Sequence, residues 1–187
     1  MAILKIARMG HPVLRSPAQE IAPGAFKQPE LRGLVEDMLD TMADYVGIGL
    51  AAPQVHCALR LFIIRPDPQD EATLRVAINP VVTPLGEEPE EGWEGCLSIP
   101  DIHGMVPRRT RVRLEAFDAD GKKYTEELEG LAARVAQHEC DHLDGVLFLD
   151  RMTNLSTLSF SDEYRRYHAP RPEAEEKEGE GEEEERK

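Results

Sequence analysis

Cysteine is scarce in this chain: three residues among 187, at positions 57, 96 and 140. The number is odd and the spacing forms no framework. That excludes a disulfide-stapled scaffold and leads us to expect a reduced, cytoplasmic compartment. Long apolar runs are missing too, and none approaches the ~20 residues a membrane-spanning helix needs. The opening Met1-Ala2-Ile3-Leu4-Lys5-Ile6-Ala7-Arg8 carries charges inside its apolar stretch and no cleavage-type sequence, so no secretory signal is expected. Cations are outnumbered, 22 Lys and Arg against 36 Asp and Glu, and the net charge of −14 argues against a generic nucleic-acid binder. There is no internal repeat and no Gly-x-x-x-x-Gly-Lys phosphate loop.

What is present is one domain's worth of chain, long enough for a real core. The acidic surplus gathers at one end. Residues 173–187 hold nine Glu against Lys177, Arg186 and Lys187, a net of −6. Such a run cannot bury apolar surface. With Pro170-Arg171-Pro172 as the boundary, the reading is a single catalytic domain over 1–169 and an acidic, disordered, solubilising tail over 170–187.

The stretch with the most chemistry is Gln137-His138-Glu139-Cys140-Asp141-His142-Leu143-Asp144-Gly145. The residues before it are good helix formers, and Leu131, Val135, His138 and His142 recur on one helical stripe. Residues four apart lie one turn above each other. His138 and His142 can therefore share one metal ion, with Glu139 beside them to handle the protons of a water on that ion. Gly145 is a left-handed stop.

Such a catalytic site needs a third protein ligand and one open position. In the longer pattern His-Glu-x-x-His-x-x-Gly-x-x-His the last place falls on Phe148, which cannot ligate. Glu163 downstream and Cys96 upstream, in Glu94-Gly95-Cys96-Leu97-Ser98, are the candidates. Cys140 sits about 200° round the helix from His138 and points away from the metal.

Elsewhere, apolar residues at three- and four-residue spacing predict a helix over 29–46, ended by Gly47. Gly47-Ile48-Gly49-Leu50-Ala51-Ala52-Pro53-Gln54 suggests backbone passing close to something, with Gln54 able to offer an N–H to a developing oxyanion. Strands are expected over 59–64 and 76–82, with Pro66 and Pro84 marking their ends, and 87–91 reads as an acidic loop. Arg111–Phe117 and 123–128 form a hairpin about the turn Asp118-Ala119-Asp120-Gly121. This order predicts an α+β fold, mixed or antiparallel sheets packed around a central metal-binding helix.

Taken together, the Gly47–Gln54, Glu94–Ser98 and Gln137–His142 stretches resemble the three signature motifs of the peptide deformylase family, in that family's order and at compatible separations. Gly10-x-Pro12-Val13-Leu14-Arg15, Val106-Pro107-Arg108 and Leu143-Asp144-Gly145-Val146-Leu147-Phe148 extend the resemblance over roughly residues 3 to 152. It implies Cys96, His138 and His142 as metal ligands and Glu139 as the catalytic acid and base. It gives Gln54 and the Leu97 N–H to the oxyanion, Gly49 to the substrate backbone, and Ile48 with Leu131 to the methionine pocket. The implied reaction removes the formyl group from N-terminal formylmethionine of nascent polypeptides and releases formate. Ligand type alone suggests Zn²⁺; the family implies one Fe²⁺ per chain, replaceable by Zn²⁺, Ni²⁺ or Co²⁺. The expected setting is the cytoplasm, near the ribosome, as a monomer without nucleic-acid or membrane binding. Some relatives dock on the ribosome through a basic C-terminal helix. Tyr164-Arg165-Arg166-Tyr167-His168 is only briefly basic and an acidic tail follows, so that mode is not expected. Two rival readings are a zinc endopeptidase with Glu163 as third ligand and a non-catalytic metal-stabilised binding module.

Overall fold

A computed structural model describes residues 2–86 and 88–169. The tail at 170–187, expected to be disordered, lies outside the described residues. Helix α1 (Pro29–Asp44) opens on a proline in its first turn and buries Leu31, Val35, Met38 and Met42 along one stripe. It stops two residues earlier than its periodicity suggested. Val46 N–H bonds to Ala43 O at 3.1 Å and Gly47 N–H to Met42 O at 2.8 Å. This crossed pair closes the helix with Val46 in the left-handed position at φ 53°, so Val46 rather than Gly47 makes the turn.

The strands lie in two antiparallel sheets. β1 (Gly49–Ala51), β2 (Leu61–Ile64), β3 (Arg75–Leu85), β4 (Glu90–Cys96), β5 (Ile99–Arg108), β6 (Arg111–Phe117), β7 (Lys123–Glu129) and β8 (Ser159–Phe160) run in chain order. The larger sheet has the order β1-β2-β3-β6-β7 and the smaller β4-β5-β8. Every β2 residue is buried, because its two faces serve two cores. Leu61 and Ile63 pack with Met38 and Met42 of α1. Phe62 and Ile64 pack with Ala133, Ala136 and Leu143 of α2 (Gly130–Leu143). Burying each of the Leu, Ile, Phe and Met side chains among them contributes about 1.5–3 kcal/mol.

Two expectations at the strand ends are corrected. Pro84 does not end its strand; β3 runs on to Leu85, because β2 pairs only as far as Ile78 and leaves Pro84 on a free edge, where no ladder N–H is required. The 87–91 segment is not all loop, since Glu90 already pairs with Arg108 in the β4–β5 hairpin. Pro100, Gly104 and Pro107 hid β5 from a reading by propensity.

The second sheet meets the other side of α2 through bonds that link Arg134, His138 and Asp141 to β4 and β5, so the helix lies between the two sheets. Past its end, Gly145 takes φ 76° and lies so close to the Arg15 backbone that an added Cβ would come within 2.8 Å of the carbonyl carbon. Two short helices complete the described chain, α3 (Phe148–Arg151) and α4 (Ser161–Tyr167).

Candidate metal centre

α2 puts His138 and His142 one turn apart with ring centroids separated by 5.0 Å. The tight Leu97–Ser98 turn between β4 and β5 delivers Cys96 to the same place. Its Sγ lies 3.3 Å from His142 Nε2. One ligand atom from each of Cys96, His138 and His142 falls within 4.8 Å of the others, as a shared ion requires. Glu163 sits exposed on α4 and takes no part in this group. Cys140 faces a different hollow, beside Gln137, Asp141 and Asp144. Burial pushes its thiol up to about 11.

The histidines are held from behind by charge. His138 Nδ1–H donates to Glu94 Oε2 at 2.9 Å, which fixes the ring and leaves Nε2 for an ion. Arg108 grips the same carboxylate with two nitrogens, at 2.9 and 3.1 Å. Arg134 adds a bond of 3.0 Å. Among the described residues Asp141 makes no hydrogen bond to either histidine ring; it joins Arg108 at 2.5 Å to Arg151 at 2.6 Å. Burial alone would raise the Glu94 pKa, but His138 and Arg108 hold it down at about 2.

Glu139 is placed differently. It is 3 % exposed, and its Oε2 has no hydrogen-bond partner among the described residues. Burial pushes its pKa up, His138 opposes, the Glu94 charge adds, and the outcome is about 7. Gly49 makes room for it: a Cβ there would lie 2.3 Å from Glu139 Oε1. Gln54 is buried, and its Oε1 accepts from Ala51 N–H at 2.8 Å. That bond turns the amide nitrogen toward Cys96 Sγ, at 3.6 Å, and Ser98 Oγ, at 3.4 Å.

These groups border a cavity of about 310 Å³. Ile48, Gly49, Gln54, Cys96, Leu97, Leu131, His138 and Glu139 all line it, and Leu131 is half exposed at its rim. Of the residues the resemblance assigned, all but His142 thus border one cavity, and His142 joins them through Cys96. Sequence reasoning did not single out Glu94, Arg108 or the cavity residues Trp93 and His103. Glu94 could have been found by period: two residues before Cys96, it shares that strand face. Arg134 links α2 to Glu94 and to the carbonyls of Glu90 and Val106, the last two both at 2.8 Å.

A cysteine sulfur and two imidazoles clustered with one buried, unpartnered carboxylate oxygen fit a borderline divalent metal. Comparison with known proteins agrees with the geometry. Residues 3–157 match the polypeptide deformylase family model. Peptide deformylase 1 of Nitrosomonas europaea is 44 % identical over 166 residues, covering 86 % of this chain and 93 % of that protein. Peptide deformylase 1 of Prochlorococcus marinus is 41 % identical over 170 residues, 87 % of this chain and 88 % of that protein. The crystal structure of peptide deformylase from Thermotoga maritima superposes with a TM-score of 0.76 at 38 % identity, covering 82 % of this chain and 100 % of that one. A Met-Ala-Ser-bound class I type b peptide deformylase from Acinetobacter baumannii gives 0.76 at 34 % identity, covering 81 % and 99 %.

Proposed function

We infer how this centre works from one premise: the chain belongs to the polypeptide deformylase family. It is a hydrolase that removes the N-terminal formyl group of nascent polypeptides. The roles of individual residues, the identity of the metal and the cellular setting are our reading.

Cys96, His138 and His142 would hold one divalent ion, which we assign as Fe²⁺, with Zn²⁺, Ni²⁺ or Co²⁺ able to replace it. When bound, such an ion polarises the formyl oxygen and lowers the pKa of water toward neutrality. The remaining steps belong to the protein's own groups. Glu139 takes a proton from the attacking water at its unpartnered oxygen and returns it to the departing amine as the C–N bond breaks. A carboxyl poised at about 7 holds and releases a proton at neutral pH. The Gln54 amide, aimed by its bond to Ala51, and the Leu97 N–H steady the oxygen on which negative charge develops. Ile48 and Leu131 receive the methionine side chain, and Gly49, on the edge strand β1, presents its backbone to the peptide. The enzyme acts as a cytoplasmic monomer on chains leaving the ribosome. Among the described residues no helix is long and apolar enough to cross a membrane.

The observation that carries this reading is Glu139: a buried carboxyl with a free oxygen beside three metal-ligating atoms. Its test is formate release from formyl-Met-Ala-Ser by the wild type and by Glu139→Ala, with elemental analysis of both. The variant should keep its metal and lose the activity; a variant that still deformylates removes Glu139 from the chemistry. The iron assignment predicts that protein purified without oxygen carries Fe²⁺ and loses activity faster in air than the Zn²⁺ or Ni²⁺ form. Equal lifetimes would count against it.

A further inference from the structure

The family match ends at residue 157, yet the chain beyond it packs onto the wall of the cavity. β8 pairs with β5 at Ile102 and His103, and α4 follows at once. Tyr164 of α4 stacks on His103, centroids 4.4 Å apart and planes 8° from parallel. Ser161 Oγ lies 3.1 Å from His103 Nδ1. Tyr164 also packs against Trp93 at 5.0 Å, and His168 reaches Trp93 at 4.8 Å. Trp93 and His103 line the cavity; the α4 residues stand behind them.

The His103 ring is thereby fixed on three sides. Tyr164 covers one face and Ser161 takes Nδ1. The third contact is Gly95, its cross-strand partner, where an added Cβ would lie 2.8 Å from Nε2. A glycine at that position is what lets the ring lie so close. Nε2 itself has no hydrogen-bond partner among the described residues, and it lies over Gly95, which borders the cavity one residue from Cys96. Burial, and then Arg165, lower the His103 pKa. That favours the neutral ring, in which one nitrogen is a donor and the other an acceptor.

We propose that β8 and α4 make His103 a substrate-positioning residue, whose Nε2 hydrogen-bonds the main chain of the formylated peptide beyond its methionine. Away from Cys96, β4 advances ~3.3 Å per residue toward Trp93, the same rise as an extended peptide leaving the ligand cluster. Each residue of such a peptide offers one main-chain donor and one acceptor. Ser161 and Tyr164 act through His103, not on the substrate. This inference rests on the deformylase reading and adds a subsite to it.

The test compares two substrates, formyl-methionine amide and formyl-Met-Ala-Ser, in the metal-loaded full chain. His103→Ala should lower kcat/KM for the tripeptide roughly three- to tenfold more than for the amide, the worth of one net hydrogen bond. The loss should appear in KM more than in kcat, as for an interaction made equally before and during reaction. Tyr164→Leu and Ser161→Ala retain the His103 imidazole but release its orientation, and should show the same dependence on substrate length in weaker form. Combined with His103→Ala they should add little. Equal losses on both substrates, or none, would overturn the proposal while leaving deformylation standing. A wild type inactive on both substrates would remove the premise as well.

Discussion

The two sides of the His138 ring treat a glutamate in opposite ways. Behind the ring, Glu94 is gripped by Arg108, Arg134 and His138 and stays ionised down to about 2. On the cavity side, Glu139 is as deeply buried, has an oxygen without a partner, and titrates at about 7. Depth of burial is nearly equal, so partners set the charge. A buried carboxylate with cations in contact stays charged and orients its neighbour; one without them keeps a proton it can trade.

The widest gap between the sides should open at Glu139→Gln. The side chain keeps its shape and loses its proton traffic, so kcat should fall by roughly 10²–10⁴ with metal content unchanged. Steady-state rates with elemental analysis check this, and near-normal turnover would erase the distinction between the glutamates. Next is Gln54→Ala, also on the cavity side, expected to lower kcat by roughly 10²–10³ through one lost oxyanion donor. A comparable rise in KM with kcat intact would instead make Gln54 a ground-state contact.

On the charged side the effect should be smaller in rate and visible in metal and stability. Glu94→Gln leaves Arg108 buried with half its partners and loosens His138. Metal affinity should drop about 10- to 100-fold, and the fold should lose about 3–5 kcal/mol. Chelator competition and chemical denaturation measure the two separately. Unchanged affinity would mean that Glu94 does not orient the ligand.

The larger sheet repeats the contrast on a milder scale. Glu126 is held by two Arg75 bonds of 2.6 Å, which lower its pKa. Next to it Tyr124 donates to Val76 O at 3.0 Å, and burial followed by the Glu126 charge pushes its pKa up to about 12. An acid whose folded pKa is raised favours folding fully below its unfolded value, about 10. That contribution should be lost as pH climbs from about 10 to about 12, and Tyr124→Phe should flatten the loss. Denaturation curves across that range decide it; an unchanged slope in the variant would remove Tyr124 as the cause.

Much of the centre was legible because it is local. Two histidines four apart, with a glutamate between them on a stripe of helix formers, needed only helical geometry to converge. The resemblance of three motifs added Cys96, which spacing alone left in competition with Glu163. The β4–β5 hairpin that carries Cys96 was not legible. Its prolines and glycines broke every propensity pattern; Pro100 is tolerated where the β4 register breaks, and Pro107 where β8 does not reach. Val46 in the left-handed turn was missed for a related reason: the helix closes on the hydrogen bonds of Gly47 and Val46, and the glycine was not the residue that had to turn.

The sequence by itself determined one face of α2, since residues four apart must stack whatever surrounds them. It also determined the two-sided burial of β2, because an unbroken apolar run has no face to give to water. Only the tertiary structure decided which sulfur meets the imidazoles and which glutamate is held by arginines. Glu94 and His138 are 44 residues apart, and Arg108 and Asp141 are 33. Contacts at such range are set by strand pairing and by the packing of a sheet on a helix, and no local preference encodes them.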